Sequence, residues 1–205
     1  MNRILTQKYF SGKNTVKIAK SLLGKFLVHR RGKKTTAYMI TETEAYDGPK
    51  DKASHAHRRK TERNKIMFGK AGYWYVYFTY GMHHMLNIVT GPENYPAAIL
   101  IRSISLHPEQ SRRTTTFGTP DDQNIEVPIL GSSDVLKLQG PAKLTKYLKI
   151  DKKFNGKPAN KKTGLWIASG KKEKLSIKSA PRIGVDYAGL AWSRKKYRFF
   201  IKIPD

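Results

Sequence analysis

Two kinds of residue cluster in this sequence could do chemistry. The segment Thr41-Glu42-Thr43-Glu44-Ala45-Tyr46 sets two carboxylates two residues apart. An acid held beside rings that exclude water has its pKa raised and can act as a general base; the plain alternative is a pair of edge-strand charges. Residues i and i+2 of a strand point the same way, so this pair cannot flank a bond from opposite sides as a glycosidase pair must. The second cluster, Tyr73-Trp74-Tyr75-Val76-Tyr77-Phe78-Thr79-Tyr80-Gly81, holds six aromatic rings in eight residues. Rings stack on unpaired bases while Lys and Arg hold phosphates. A strand packing its rings into a core is the competing reading.

The charge favours base stacking. Lys and Arg number 40 against 15 Asp and Glu, a formal charge of +25 over 205 residues. Up to Arg102 there are 19 basic and 6 acidic residues, so the excess is spread along the chain rather than gathered in a tail. A polyanion partner is implied through phosphate neutralisation and counterion release; a solubility surface is the alternative. His55-Ala56-His57 and His83-His84 invite a metal, but no HExxH and no cysteine accompanies them. A hydrogen-bonding role in a binding loop suits His55 better, and neither metal nor cofactor is expected. Gly69-Lys70-Ala71-Gly72 is too short for a phosphate loop, and no GxSxG or SxxK occurs. With no cysteine, no signal-like N-terminus and no long apolar stretch, the expectation is a cytoplasmic protein away from membranes.

These residues need a scaffold, and the pattern describes one. Asn14-Thr15 before Val16, Ile18, Ala19, Leu22 and Leu23, with Gly24 after, reads as a capped amphipathic helix. A hairpin comes next: a strand from Phe26, a turn at Arg31-Gly32-Lys33-Lys34, and a second strand over 35–45. Strict alternation places Tyr38, Ile40, Glu42 and Glu44 on one face of it. Residues 47–66, polar and bearing Gly48-Pro49, read as a long loop. The aromatic strand 73–80 turns at Gly81-Met82 into a strand over 84–89, and Ala97–Arg102 is a short buried strand ending in a cation. Residues 105–134 read as an irregular excursion and Gly140–Leu148 as a helix with proline in its first turn. A lysine-rich stretch, 149–174, precedes two final strands around 175–179 and 197–203. The fold class is α+β, a single domain over 1–205 with a curved, mostly antiparallel sheet flanked by helices and long loops.

The string Glu42-Thr43-Glu44-Ala45-Tyr46-Asp47-Gly48-Pro49, with Asp51, Ala53 and His55, resembles a signature of the alkyladenine (3-methyladenine) DNA glycosylase family. Arg63-Asn64, Met67-Phe68, Tyr75–Met82 and Asn87 are similar to a second one. Ala98–Arg102, Gly140-Pro141-Ala142-Lys143-Leu144, Arg182-Ile183-Gly184-Val185 and Ala188-Gly189 continue in the family's order. The likeness runs from about residue 16 to the C-terminus and departs chiefly after Arg102, where Ser103–Pro108 and the stretch to 134 do not align.

The resemblance implies a hydrolase of N-glycosyl bonds in base-excision repair, acting alone on double-stranded DNA that carries alkylated or deaminated purines. It implies Glu44 as the base that activates water and Arg102 as the residue that positions that water. Tyr46 and Tyr77 correspond to rings that sandwich the extruded base, with His55 as a further wall. Asn87 corresponds to the side chain that rejects the 2-amino group of guanine, and Tyr80 to the tyrosine that wedges into the gap left in the duplex. With no lysine placed for a Schiff base, strand cleavage is not expected. Two rivals remain: a non-catalytic basic protein binding RNA or lesions, and a family member that has lost turnover. Glu44 discriminates, because a phosphate binder gains nothing from an acid beside its rings.

Overall fold

Asn14 caps its helix as expected, accepting the Lys17 N–H at 2.8 Å through its side chain. The helix, Thr15–Ser21 (α2), comes after a single turn at Gln7–Phe10 (α1) and turns Ile18 and Ala19 into the core. The computed structural model describes residues 3–106, 136–170 and 175–201. In chain order the strands are Phe26–Arg31 (β1), Lys34–Asp47 (β2), Trp74–Thr79 (β3), His83–Val89 (β4), Ala97–Leu106 (β5), Leu136–Gln139 (β6), Leu165–Ala168 (β7), Ile177–Ala180 (β8) and Arg198–Ile201 (β9). Helix Pro141–Leu148 (α3) and the short Leu190–Ser193 (α4) complete the regular elements.

Among the described residues every strand pair is antiparallel, in the order β3-β4-β5-β2-β1-β7, with β6 on β5 and the β8-β9 pair on β2. The sheet curls until its two ends meet. Trp74 N–H donates to the Lys157 carbonyl, Gly156 N–H to that of Trp74, both at 2.8 Å, and the Trp74 indole N–H reaches Leu165 O at 3.0 Å. Segment 155–160 thus joins β3 to β7. Inside the curl lie Trp74, Val76, Leu86, Ile88, Ile99 and Ile101, with α2 and Leu144 and Leu148 of α3. Burying each such side chain contributes about 1.5–3 kcal/mol. The α+β class and the curved antiparallel sheet are as the sequence indicates.

The alternation expected of β2 does not hold. Tyr38 and Ile40 face the core, but so do Thr43 and Ala45, while Glu42 and Glu44 face away. The pairing with β5 slips twice, between Ile40 and Glu42 and again between Glu42 and Thr43. Thr41 is the extra residue on one strand and Arg102 the extra residue on the other. Each bulge reverses the facing of the residues beyond it, so β5 changes from Ile99 and Ile101 inward to Ile104 inward. Glu42, Glu44, Arg102 and Ser103 are thereby brought to one side of the sheet. No residue type announces such a bulge.

Other differences are smaller. The strand Leu165-Trp166-Ile167-Ala168 sits inside the stretch read only as lysine-rich, and β5 continues past Arg102 to Leu106. The loop 47–66 leads into a turn of 3-10 helix at Lys65–Phe68 and is ordered by two buried polar residues, Asp51 and Asn64. Asn64 donates to His55 O and Arg59 O and accepts from Thr61 N–H. The irregular excursion lies, from residue 107 onward, outside the described residues. Among those described, no helix is long and apolar enough to cross a membrane.

Candidate active site

Because the inward face of β3, β4 and β5 is filled by the core, period two sends the intervening residues outward. Tyr75 pairs with Asn87, Asn87 with Leu100, and Leu100 with Glu44, so these four form one row across the sheet. Three steps of ~4.8 Å make that row ~14 Å long. Tyr77 and Met85 flank it on one side, Tyr46 and Ala98 on the other. The row floors a cleft of about 400 Å³, walled also by His55, Arg102, Ile183 and Tyr187, with Tyr80 at its rim. The aromatic strand therefore divides its rings: Trp74 packs in the core, Tyr75 and Tyr77 face the cleft.

Glu44 is fully buried. Its Oε1 accepts the Ile183 N–H at 2.9 Å and lies 3.4 Å from Arg102 Nη1; its Oε2 accepts the Tyr46 hydroxyl at 2.9 Å. Burial raises its pKa, and the Arg102 charge and these hydrogen bonds only partly oppose that. Glu42 behaves in the opposite way. Its burial is outweighed by hydrogen bonds from Ser103 Oγ at 2.5 Å and Arg198 Nη1 at 3.0 Å and by the Arg102 charge, so its pKa falls. Arg102 bridges the two, with Nε 3.2 Å from Glu42 Oε1. The paired carboxylates thus divide into a firmly ionised structural anion and a desolvated acid at the cleft floor. Acid–base sites show such divergence, and so do structural ion-pair networks.

The rings are held from behind. The Arg182 guanidinium lies 4.8 Å from the Tyr46 ring centre and that of Arg63 5.1 Å from the Tyr77 ring centre. His55 meets Tyr77 edge-on at 4.6 Å and shares a 3.2 Å hydrogen bond with the Tyr75 hydroxyl. Burial and the nearby Arg63 charge lower the His55 pKa to about 4, leaving the imidazole neutral at pH 7. Burial pushes the Tyr77 hydroxyl up to about 12. Asn87 spends both amide hydrogens on the carbonyls of Tyr75 and Met85, at 3.1 and 3.2 Å.

Tyr80 stands apart, 83% exposed at the tip of the β3–β4 hairpin beside exposed Phe78 and Met82. Its φ is +52°, followed by Gly81 at +66°. That left-handed pair closes a tight hairpin with the right twist, but only the glycine enters it without strain. A tyrosine there costs about 1–2 kcal/mol, and such strain gathers at functional sites.

All seven residues singled out from the sequence therefore line one cleft or its rim: Glu44, Tyr46, His55, Tyr77, Tyr80, Asn87 and Arg102. The residues that support them are legible in the sequence as motif members but not as partners. Asp51 and Arg182 form a wholly buried pair, Nη1–Oδ2 2.5 Å and Nη2–Oδ1 2.8 Å. Asp51 also accepts the backbone N–H of Asp47 and Ala53, and Arg182 donates to Ala45 O. This pair ties the 47–57 loop to the segment whose Ile183 N–H holds Glu44. Asp51 and Arg182 each belong to a family-like motif, but nothing in the sequence pairs an acid in a loop with an arginine 131 residues later. Among the described residues no group of three or more His, Cys, Asp or Glu could hold a metal.

A model of the methylpurine-DNA glycosylase family matches residues 9–204. The chain is 37% identical over 196 residues to a protein of Borreliella afzelii (strain PKo), covering 95% of both, and 36% identical over 193 residues to one of Legionella pneumophila (strain Paris), covering 94% of this chain and 92% of that one. A protein of Desulfitobacterium hafniense (strain Y51) is 37% identical over 196 residues, covering 94% and 93%. All three carry the name "Putative 3-methyladenine DNA glycosylase". With the family model spanning nearly the whole chain and relatives above one-third identity end to end, this protein belongs to the methylpurine-DNA glycosylase family.

Proposed function

We propose that the protein is a DNA repair glycosylase that flips an alkylated or deaminated purine out of duplex DNA and hydrolyses its N-glycosidic bond. The observation that carries this is Glu44, a buried carboxylate of raised pKa on the floor of an aromatic cleft. Extruding a nucleotide costs a few kcal/mol, and stacking returns about 1–3 kcal/mol per base. Tyr46 and Tyr77 supply the stacking; Tyr80 fills the gap in the duplex. Electron-rich ring faces favour a cationic alkylated purine, which is already a good leaving group.

Glu44 takes a proton from water as the water oxygen bonds to C1′. The C1′–N bond breaks with its electron pair leaving on the base, and the carboxylate charge offsets the oxocarbenium character of the sugar. Arg102, within reach of the same carboxylate, orients that water. Asn87, its amide fixed by the two carbonyls, fills the space that the 2-amino group of guanine needs. The products are free base and an abasic site. Among the described residues lining the cleft there is no lysine to form a Schiff base, which supports hydrolysis without strand cleavage. A single copy suffices to read one duplex. A protein that only bound phosphates would have no use for a desolvated carboxylate under its rings.

The reading is tested by single-turnover base release from a duplex with one central hypoxanthine or ethenoadenine, scored with and without alkali. Strand breaks only after alkali are expected; no release, there or on methylated DNA, removes the proposal. Glu44 works only when deprotonated, and its pKa is raised, so activity is full at higher pH and is lost as pH falls. On a cationic methylpurine the acid limb should lie above the ordinary glutamate value of about 4.3. A profile flat down to that value would rule Glu44 out as the base.

Tyr80→Gly separates strain from function. The glycine relieves the left-handed backbone but adds chain entropy of about 0.5–1 kcal/mol. Stability should hold or rise by up to about 1.5 kcal/mol in thermal unfolding. Discrimination of damaged from intact duplex should fall about 5- to 150-fold as about 1–3 kcal/mol of stacking is lost. Unchanged discrimination would deny Tyr80 the wedge role.

A further inference from the structure

A second cleft, of about 410 Å³, lies near the other end of β2, where β1 turns back into it. Thr36, paired with His29 of β1, is eight residues from Glu44, roughly 25 Å along the strand. The cations Arg30, Arg31, Lys149, Lys153 and Lys157 line this cleft and, among the described residues, no carboxylate does. Among the described residues only Lys153 has an acid beside it, Asp151 at 3.6 Å, and both side chains of that pair are exposed. At the floor is His29, 5% exposed. Its ring nitrogens make no hydrogen bond among the described residues, and its ring edge rests on Phe154 at 5.7 Å. With no hydrogen-bond partner among the described residues and several cations around it, this imidazole offers a donor to an anion. Burial and the charges of Arg31 and Lys153 lower its pKa to about 4.

The two clefts are joined by one helix. Pro141 and Ala142, at the start of α3, line the first, and Lys149, just past its end, lines the second. Eight helical residues span ~12 Å. Exposed Lys143 and Lys146 lie between, so with Lys149 cations recur every three residues from one cleft to the other. A spaced row of open cations suits a repeating chain of phosphates better than one small anion.

We propose that this second cleft binds phosphates of the DNA backbone outside the damaged nucleotide, so that the duplex is gripped at two separate places. The inference rests on DNA as the partner, as in the proposed function, but not on base release. Lesion-free duplex is the probe, and the dependence of its affinity on salt is the readout. Each lost phosphate contact lowers the log–log salt slope by about 0.9. The triple variant Arg31→Gln/Lys149→Gln/Lys153→Gln should therefore bind with a slope shallower by about 3. The control Lys8→Gln/Lys13→Gln/Lys17→Gln, on exposed residues near the N-terminus, should change it by less than about 1. In wild type, NMR signals of the His29 ring should move on adding duplex. Equal slopes in both variants, or no change in the first, overturn the inference. So do His29 signals that move with inorganic phosphate while the slope stays fixed, which would mark a small-anion site. Wild type that binds duplex in this way yet releases no base would defeat the glycosylase reading and leave this one standing.

Discussion

Glu44→Gln should fold, hold a lesion-bearing duplex, and release no base. The glutamine is nearly the same shape. Its oxygen can accept the Ile183 N–H as Glu44 Oε1 does, and its amide nitrogen takes the place of Oε2, where the Tyr46 hydroxyl can turn to accept. Arg102 keeps Glu42 as a partner. A buried carboxylate of raised pKa is disfavoured in its charged form, so its neutralisation should leave thermal stability unchanged or higher. The variant loses the proton acceptor, typically worth about 10²–10⁴ in rate, and the negative charge facing the developing oxocarbenium ion. Base release in a single turnover should drop by at least about 10³-fold, with lesion affinity within a few-fold of wild type. Release near the wild-type rate would show that another group activates the water. Loss of folding would show that the charge was structural, as that of Glu42 is.

The contrast between Glu42 and Glu44 also shows where sequence reading stops. The motif and the rings were legible because composition and spacing carry them: six aromatics in eight residues, two acids, an arginine ending an apolar run. The row Tyr75–Asn87–Leu100–Glu44 arises from period two once the strands are paired. The paired bulges at Thr41 and Arg102 were not legible, because the register of two strands is a tertiary property that neither strand encodes alone. Without them alternation puts Glu44 on the face of Ile40, in the core. The bulges also explain how an arginine at the end of an apolar strand reaches both glutamates. Strand β7 was hidden for a related reason: four buried residues among lysines become a strand only beside β1. The Asp51–Arg182 pair was least visible, because its partners meet only after the loop and the C-terminal segment have folded against each other.

That pair should give the largest effect outside the reacting atoms. Both side chains are wholly buried, and Arg182 Nε already lacks a partner among the described residues. Asp51→Asn removes the countercharge and leaves a guanidinium in the interior. Breaking one side of a buried pair typically costs about 3–5 kcal/mol. For a domain of this size each kcal/mol shifts Tm by about 2–4 °C, so a fall of roughly 6–20 °C is expected in thermal unfolding. Base release should fall as well, measured below the Tm of every variant, because Arg182 backs the Tyr46 ring and adjoins the N–H that holds Glu44. The double variant Asp51→Leu/Arg182→Met distinguishes stability from positioning. Removing both charges should recover part of the lost Tm, since an apolar pair in a buried site is often as stable as an ionic one. Release should remain low, because leucine cannot accept the N–H groups of Asp47 and Ala53 and the loop is no longer tied to Glu44. If the double variant regains wild-type release along with stability, the ion pair is only a packing element. If Asp51→Asn leaves Tm unchanged, the pair is not buried in solution and its part in holding Glu44 falls with it.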